Sequence, residues 1–248
     1  MYDQPSGTIN PNTTSRAATL ASSGGESTGD REYMLTLLCS VEPGERTLAA
    51  RAFCNIRDER AILPLIELLK SSCPLTRVSA TYALGRNTSS EAIEPLIQCL
   101  NDFNGYVRKG AVWALGNCGD IRALDPLVDA LRHDIAAVRL WSASSLGQLA
   151  TVGYDFAVAA VPPLLVGLRT DSIAAIRSNC AWALGQLCRE LPSNVVYAGA
   201  IDGLLEALED ESEVGVIEDA RASLLRVGDP RGLQAIEDLD KLEDDDWL

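Results

Sequence analysis

The stretch Ala92-Ile93-Glu94-Pro95-Leu96-Ile97 decides the fold because it returns along the chain. Its other versions are Ala61-Ile62-Leu63-Pro64-Leu65-Ile66, Ala123-Leu124-Asp125-Pro126-Leu127-Val128, Ala160-Val161-Pro162-Pro163-Leu164-Leu165 and Ala200-Ile201-Asp202-Gly203-Leu204-Leu205. Successive copies start 31, 31, 37 and 40 residues apart. A period of that size holds two short helices, and a lone helix pair can bury its apolar stripe only against the pairs on either side. The expectation is an all-α stack of helix pairs.

A second phrase follows each of the middle copies: Arg77-Val78-Ser79-Ala80-Thr81-Tyr82-Ala83-Leu84-Gly85, then Arg108 to Gly116, Arg139 to Gly147 and Arg177 to Gly185. Its closing glycine is placed to end a helix in a left-handed conformation. Pro64, Pro95, Pro126 and Pro163 fall near the start of the first helices, where a missing amide donor is cheap. Asp102 and Asp171 each stand six residues before an arginine, Arg108 and Arg177, with Asp134 shifted by one before Arg139. That spacing predicts a structural, charge-assisted bond across the inter-helix turn. In the two longer periods Gly153 to Phe156 and Pro192 to Tyr197 read as surface insertions, with Tyr154, Phe156 and Tyr197 as contact aromatics or loop anchors.

The ends differ from the middle. Residues 1–30 are rich in Ser, Thr, Gly and Pro, so ordering them returns little apolar burial, and they are expected to form a flexible tail. Residues 31–242 form the repeat domain, opened by an atypical capping unit around Tyr33 to Leu38 and Leu48 to Ile56, and closed by helices over 216–227 and 233–242. Residues 206–248 hold 15 Asp or Glu against four Arg or Lys, and 243–248 read as an acidic C-terminal tail.

Composition narrows the function. With 47% hydrophobic but only 5% aromatic residues, the core must be mostly aliphatic. A formal charge of -14 opposes a polyphosphate or an anionic membrane and favours a cationic partner, so no nucleic acid is expected. No apolar run approaches the length of a membrane span, and the start has neither the charge nor the apolar core of a secretory signal. Seven cysteines without a CxxC pair point to a reducing, cytoplasmic setting.

The search for chemistry returns few candidates. No GxxxxGK or GxGxxG phosphate loop occurs. His133 is the one histidine, with no nucleophile placed beside it, and a surface or capping role outweighs catalysis. No catalytic residue is assigned. Cys54, Cys99 and Cys180 fall on apolar helical patterns, which leaves Cys118 and Cys188 as the candidate exposed thiols and metal ligands. Tyr82, Trp113 and Trp182 share one register, with Ser144 between them and Trp141 one turn earlier. These aromatics either fill the core or line the inner helical surface as a platform. In the second case Arg108, Arg139 and Arg177 would serve as carboxylate clamps, with Asn117, Gln148 and Gln186 adding polar contacts.

Ala92 to Ile97, Tyr106-Val107-Arg108-Lys109 and Ala114-Leu115-Gly116 resemble HEAT-like repeats, especially the short kind in cyanobacterial phycobilin lyase subunits. The resemblance spans about residues 31–238 and implies a right-handed HEAT-like alpha-alpha solenoid. It also implies two kinds of partner. One is an A-type iron-sulfur carrier, served by a lyase-related HEAT-repeat protein with Cys118 or Cys188 beside a shared iron-sulfur cluster. The other is a phycobiliprotein or lyase subunit, with a transient bilin stacked on Trp113 or Trp182, its propionates on Arg108, Arg139 or Arg177, and Asp102 or Asp171 moving protons. Every strong signal serves stacking and none compels catalysis, so a protein-binding scaffold is the preferred reading.

Overall fold

The computed structural model describes residues 28–245. The expected tails therefore fall largely outside the described residues, except that helix reaches back to Thr28 and forward to Asp245. The order is α1 Thr28–Leu38, α2 Pro43–Ala52, α3 Ile62–Leu68, α4 Pro74–Arg86, α5 Ile93–Cys99, α6 Gly105–Cys118, α7 Leu124–His133, α8 Ala136–Gln148, α9 Tyr154–Thr170, α10 Ala174–Cys188, α11 Val195–Asp210, α12 Val214–Val227 and α13 Pro230–Asp245. Odd-numbered helices form one layer and even-numbered helices the other, with α13 an extra helix against α11 and α12.

Helices α3, α5 and α7 are each led in by one 3-10 turn, opened by Asp58, Ser89 and Asp120, whose side chains accept from the amides of Arg60, Glu91 and Arg122. Pro64, Pro95 and Pro126 thus sit in the first α-helical turn, where no intrahelical donor is lost. Pro163 departs from that pattern. The residues added in the longer period lengthen α9 at its N-terminus, so Pro162 and Pro163 end up inside the helix. Phe156 belongs to this extension and is fully buried, which makes it a core residue and not a contact aromatic. Tyr154 stays exposed and its hydroxyl accepts from Asn194, while the Tyr197 hydroxyl donates to Asp229.

Two leucine registers meet along the seam between the layers. Leu65, Leu96, Leu127, Leu164 and Leu204 face inward from the first helices, and Leu84, Leu115, Leu146, Leu184 and Leu224 from the second; all ten are fully buried. Each such side chain contributes about 1.5–3 kcal/mol of burial relative to exposure, and each is shared with a neighbouring pair. At the N-terminal end Asn87 ties the capping unit on, donating to the carbonyls of Phe53 and Ile56 and accepting from the Asp58 amide.

The closing glycines do not cap their helices. Gly85, Gly116, Gly147 and Gly185 lie inside α4, α6, α8 and α10, are buried, and have ordinary negative φ. Left-handed caps are supplied elsewhere, by Gly119 after α6 and Gly228 after α12. The register glycines serve close approach: a Cβ on Gly85 would lie 2.9 Å from Ala114 Cα, one on Gly147 2.8 Å from Ala183 Cα, and one on Gly185 3.1 Å from Ser223 Cα. The equivalent place on α12 is Leu225, 52% exposed, where no further second helix follows among the described residues.

Successive second helices therefore touch backbone to backbone. Successive first helices leave open grooves, one of about 510 Å³ lined by Ile97, Pro126, Asp129 and His133, another of about 310 Å³ lined by Pro163, Val166 and Gly167. A stack whose layers differ in spacing must curve toward the tighter one, so the second helices line the inner face.

Gly147→Ala is expected to lower stability by up to about 2 kcal/mol in urea denaturation: the gain in helix propensity of about 1 kcal/mol is outweighed by overpacking against backbone, which costs up to about 3 kcal/mol. Gly199→Ala, in α11 with nothing within 4 Å of the new Cβ, should instead stabilise by about 0.5–1 kcal/mol.

Candidate functional site

The inner face begins at its edge, where one arginine per repeat grips the next repeat. Arg77 donates through Nε to Asp102 Oδ2 at 2.6 Å and through Nη2 to Oδ1 at 2.9 Å. Arg108 holds Asp134 in the same way, Arg139 holds Asp171, and Arg177 holds Glu211. The remaining Nη1 turns back to a carbonyl of its own inter-helix loop: Ser71, Asp102, Asp134 and Asp171 in turn. Each carboxylate also accepts backbone amides at the start of its own second helix, Asn104 on Asp102, Ile135 on Asp134, Ile173 on Asp171, Ser212 and Glu213 on Glu211.

The six-residue spacing thus marks a real bond but a different acceptor. Within a repeat it is the acid's carbonyl that takes the arginine's donor, while its carboxylate reaches back to the preceding repeat. The ladder stops where the residues stop. Ser71 stands in the acid position opposite Arg46, which bonds the carbonyls of Ser40 and Val41, and Ile217 stands in the arginine position of α12.

These pairs are mostly buried, with side-chain exposures of 7% for Arg77 and 11% for Asp102. Burial alone would raise the carboxyls of Asp102, Asp134 and Asp171, but the arginine hydrogen bond, the amide donors and the nearby charge together hold them below the usual range. For Glu211 the arginine bond is the largest influence and takes the carboxyl down to about 2. Arg108, Arg139 and Arg177 are therefore fully engaged, and clamping a ligand carboxylate would require breaking the stack. Asp102 and Asp171, held ionised, are poorly suited to donate a proton.

The aromatics meet both sequence alternatives at once. The Trp113 ring fits against Gly85 and the Trp182 ring against Gly147 of the preceding second helix, yet Tyr82, Trp113, Trp141 and Trp182 all stay half-buried, with one side toward solvent. Tyr82 and Trp113 form a tilted pair with centroids 5.4 Å apart. Arg86 lies over Trp113 at 5.7 Å and Lys109 over Trp141 at 5.4 Å, both within cation-π range. Asn179 donates to Ser144 Oγ and the Leu140 carbonyl, bridging α10 to α8. Asn117 and Gln148 are exposed on this face and Gln186 half-buried.

The thiols are placed otherwise than expected. Cys188 is 2% exposed, and burial with the nearby Asp229 pushes its pKa up to about 12. Cys118 is half-buried, and burial raises it to about 11. They lie on α6 and α10 with α8 between them. Metals bind thiolate, which both sites disfavour, and among the described residues no three His, Cys, Asp or Glu side chains gather to hold a metal. The pair does not fit an iron-sulfur cluster. Cys99 and Cys180 are buried as read, whereas Cys54 is only half-buried. His133 is exposed on the outer layer, 3.8 Å from Asp129.

Sequence reasoning passed over Arg51, Arg86 and Lys109, whose cations carry no ion pair to the described residues and which share the inner face with the aromatics. The available signal was an omission: α4, α6, α8 and α10 contain no Asp or Glu, in a chain with 35 of them.

A stack of helix pairs with an inner face of this kind is an α-solenoid. The chain matches HEAT repeats over residues 34–102 and 93–185, more than half its length, and belongs to that family. The expected right-handed HEAT-like solenoid is borne out. No curated protein matches the chain. Among solved structures, an engineered protein shares 24% identity over 80% of this chain and 98% of its own, with a TM-score of 0.61. A designed armadillo repeat protein in complex with the peptide (KR)4 shares 22% over 78% of this chain and 98% of its own, also at 0.61. A chain of a homology model of the full-length AP-3 complex shares 18% over 90% of this chain and 42% of its own, at 0.73. At these identities the likeness is one of fold. No helix among the described residues is long and apolar enough to cross a membrane.

Glu211→Gln should cost about 2 kcal/mol at neutral pH, the scale of a hydrogen bond to a charged group. A depressed carboxyl contributes above its unfolded pKa, 4.5, and loses that contribution as pH falls through the folded value near 2. The stability gap between wild type and variant in urea titrations should therefore close between about pH 4.5 and 2.

Proposed function

We propose that the chain is a protein-binding scaffold that engages its client with the inner face of its second helices. The observation that carries this reading is the run of half-exposed aromatics, Tyr82, Trp113, Trp141 and Trp182, on consecutive repeats. Large rings left partly in water cost burial that an aliphatic core residue would have supplied, and such rings are the usual anchors of protein interfaces. The designed armadillo repeat protein in complex with the peptide (KR)4 offers a parallel for a stack of this fold taking a peptide. Seven free cysteines fit a reducing compartment such as the cytoplasm.

The family resemblance suggests an iron-sulfur carrier as client. That role asks this chain for protein contacts only, with any cluster held by the carrier's ligands and not by Cys118 or Cys188. The alternative is a phycobilin lyase subunit. The Tyr82–Trp113 pair with Arg86 above it favours that reading, since a planar tetrapyrrole with propionates needs a ring platform and a free cation. The rung arginines would remain structural in either case.

A photo-crosslinking residue at Gln148 on the inner face should trap a protein in native extract that the same residue at Val166, exposed on the outer layer, does not. Equal trapping from both positions would remove the inner face from the account.

A further inference from the structure

We infer that the N-terminal half of the inner face, from α2 to α8, docks an extended acidic segment of a partner protein. This rests on the reading that the second-helix face is the binding surface, and adds the chemistry of what it takes.

The argument is one of charge separation. The whole chain carries a formal charge of -14, which by itself predicts a cationic partner. Apart from Glu45 in the first turn of α2, the acids lie on first helices, loops and the C-terminal end, while α4, α6, α8 and α10 have none. Those four helices carry Arg77, Arg86, Arg108, Lys109, Arg139 and Arg177, and the rung carboxylates neutralise Arg77, Arg108, Arg139 and Arg177. Arg86 and Lys109 remain, joined from α2 by Arg51, which occupies the register of Tyr82 and Trp113 one repeat earlier. None of the three has a carboxylate partner among the described residues.

These cations form one patch. Arg51 and Arg86 both lie close enough to Cys54 to lower its thiol against the burial that raises it. Arg86 covers Trp113, Trp113 leans on Tyr82, and Lys109, one turn before Trp113 on α6, covers Trp141. A cation resting on an aromatic face keeps its charge available to a ligand, whereas one locked to a carboxylate does not. The opposite end of the face adds acids: Glu218 is exposed on α12 and Asp219 accepts from Ser178 of α10, beside Arg226 in the register of Arg86, and residues 206–248 hold 15 Asp or Glu against four Arg or Lys. An acidic segment is thereby drawn to the α2 to α8 end and repelled from α12.

Spacing favours a peptide over a nucleic acid. Packed helices lie roughly 8–10 Å apart and an extended chain advances about 3.3–3.6 Å per residue, so a carboxylate at every third residue meets one repeat after another. The intervening side chains can reach the aromatics. A polyphosphate would bring denser charge against the overall negative field.

The test uses the full chain and two fluorescent twelve-residue probes, repeated Glu-Ser-Phe and repeated Lys-Ser-Phe, followed by anisotropy at low and high salt. The expected result is binding of the glutamate probe at least about tenfold tighter than the lysine probe, weakened by salt. The triple variant Arg51→Ser, Arg86→Ser, Lys109→Ser should lose at least about tenfold, and the control Arg189→Ser, Arg226→Ser should not. All these arginines and the lysine lie outside the rungs, so folding can be checked by unchanged urea midpoints. The proposal is overturned if the lysine probe binds as tightly, if the triple variant matches wild type, or if an oligonucleotide or biliverdin outcompetes the glutamate probe at equal concentration. Should neither probe bind while Gln148 still crosslinks a protein, the acidic segment is ruled out and the inner face stands as a binding surface. Loss of the crosslink as well removes both.

Discussion

The bidentate bond from each rung arginine to the carboxylate of the following repeat is the constraint on which this structure depends. A solenoid has no long-range contacts to fix its register, since every repeat sees only its neighbours. The apolar core that contains the leucine seam supplies the burial but is non-directional, and a seam of leucines would tolerate sliding. A planar guanidinium meeting a carboxylate at two points does not. Because Asp102, Asp134, Asp171 and Glu211 also accept amides at the start of their own second helices, each rung ties the inter-helix turn of one pair to the same turn of the next. Buried charge of this kind contributes modestly to net stability and strongly to geometry.

That arrangement also shapes what the inner face can offer. Once four arginines are taken up by the stack, the cations left for a partner between α2 and α8 are those outside the rung register, Arg51, Arg86 and Lys109. The aromatics have a double duty for a similar reason. Removing the Cβ at Gly85 and Gly147 lets neighbouring helices close, and the tryptophans of the next helix fill the notch while keeping one side in solvent. Tight inner packing, curvature and a partly exposed aromatic row are three outcomes of one small-residue register.

Much of the fold is legible because it depends on local spacing repeated many times. The proline-leucine phrase, the helix pairs and the atypical ends all follow from periodicity. The role of Gly85 and its equivalents is not legible in the sequence, since a glycine at the end of an apolar run looks the same whether it caps a helix or admits a neighbour; Leu225 in the same register, on the last second helix of the described residues, is the trace that separates the two. The places of Phe156 and Pro163 inside α9 are hidden because insertions can lengthen a helix as readily as a loop. For the site, the aromatic register was visible, but the three free cations were hidden by the overall negative charge.

Sequence alone determined the all-α repeat architecture, the two leucine registers and the ladder residues other than Glu211, because these are properties of periodic position along the chain. Tertiary structure decided which acid each arginine meets, which thiols are buried and which cations remain unpaired. Those outcomes depend on distances between neighbouring repeats, about thirty residues apart in sequence but in contact once stacked, and no spacing within a single repeat encodes them.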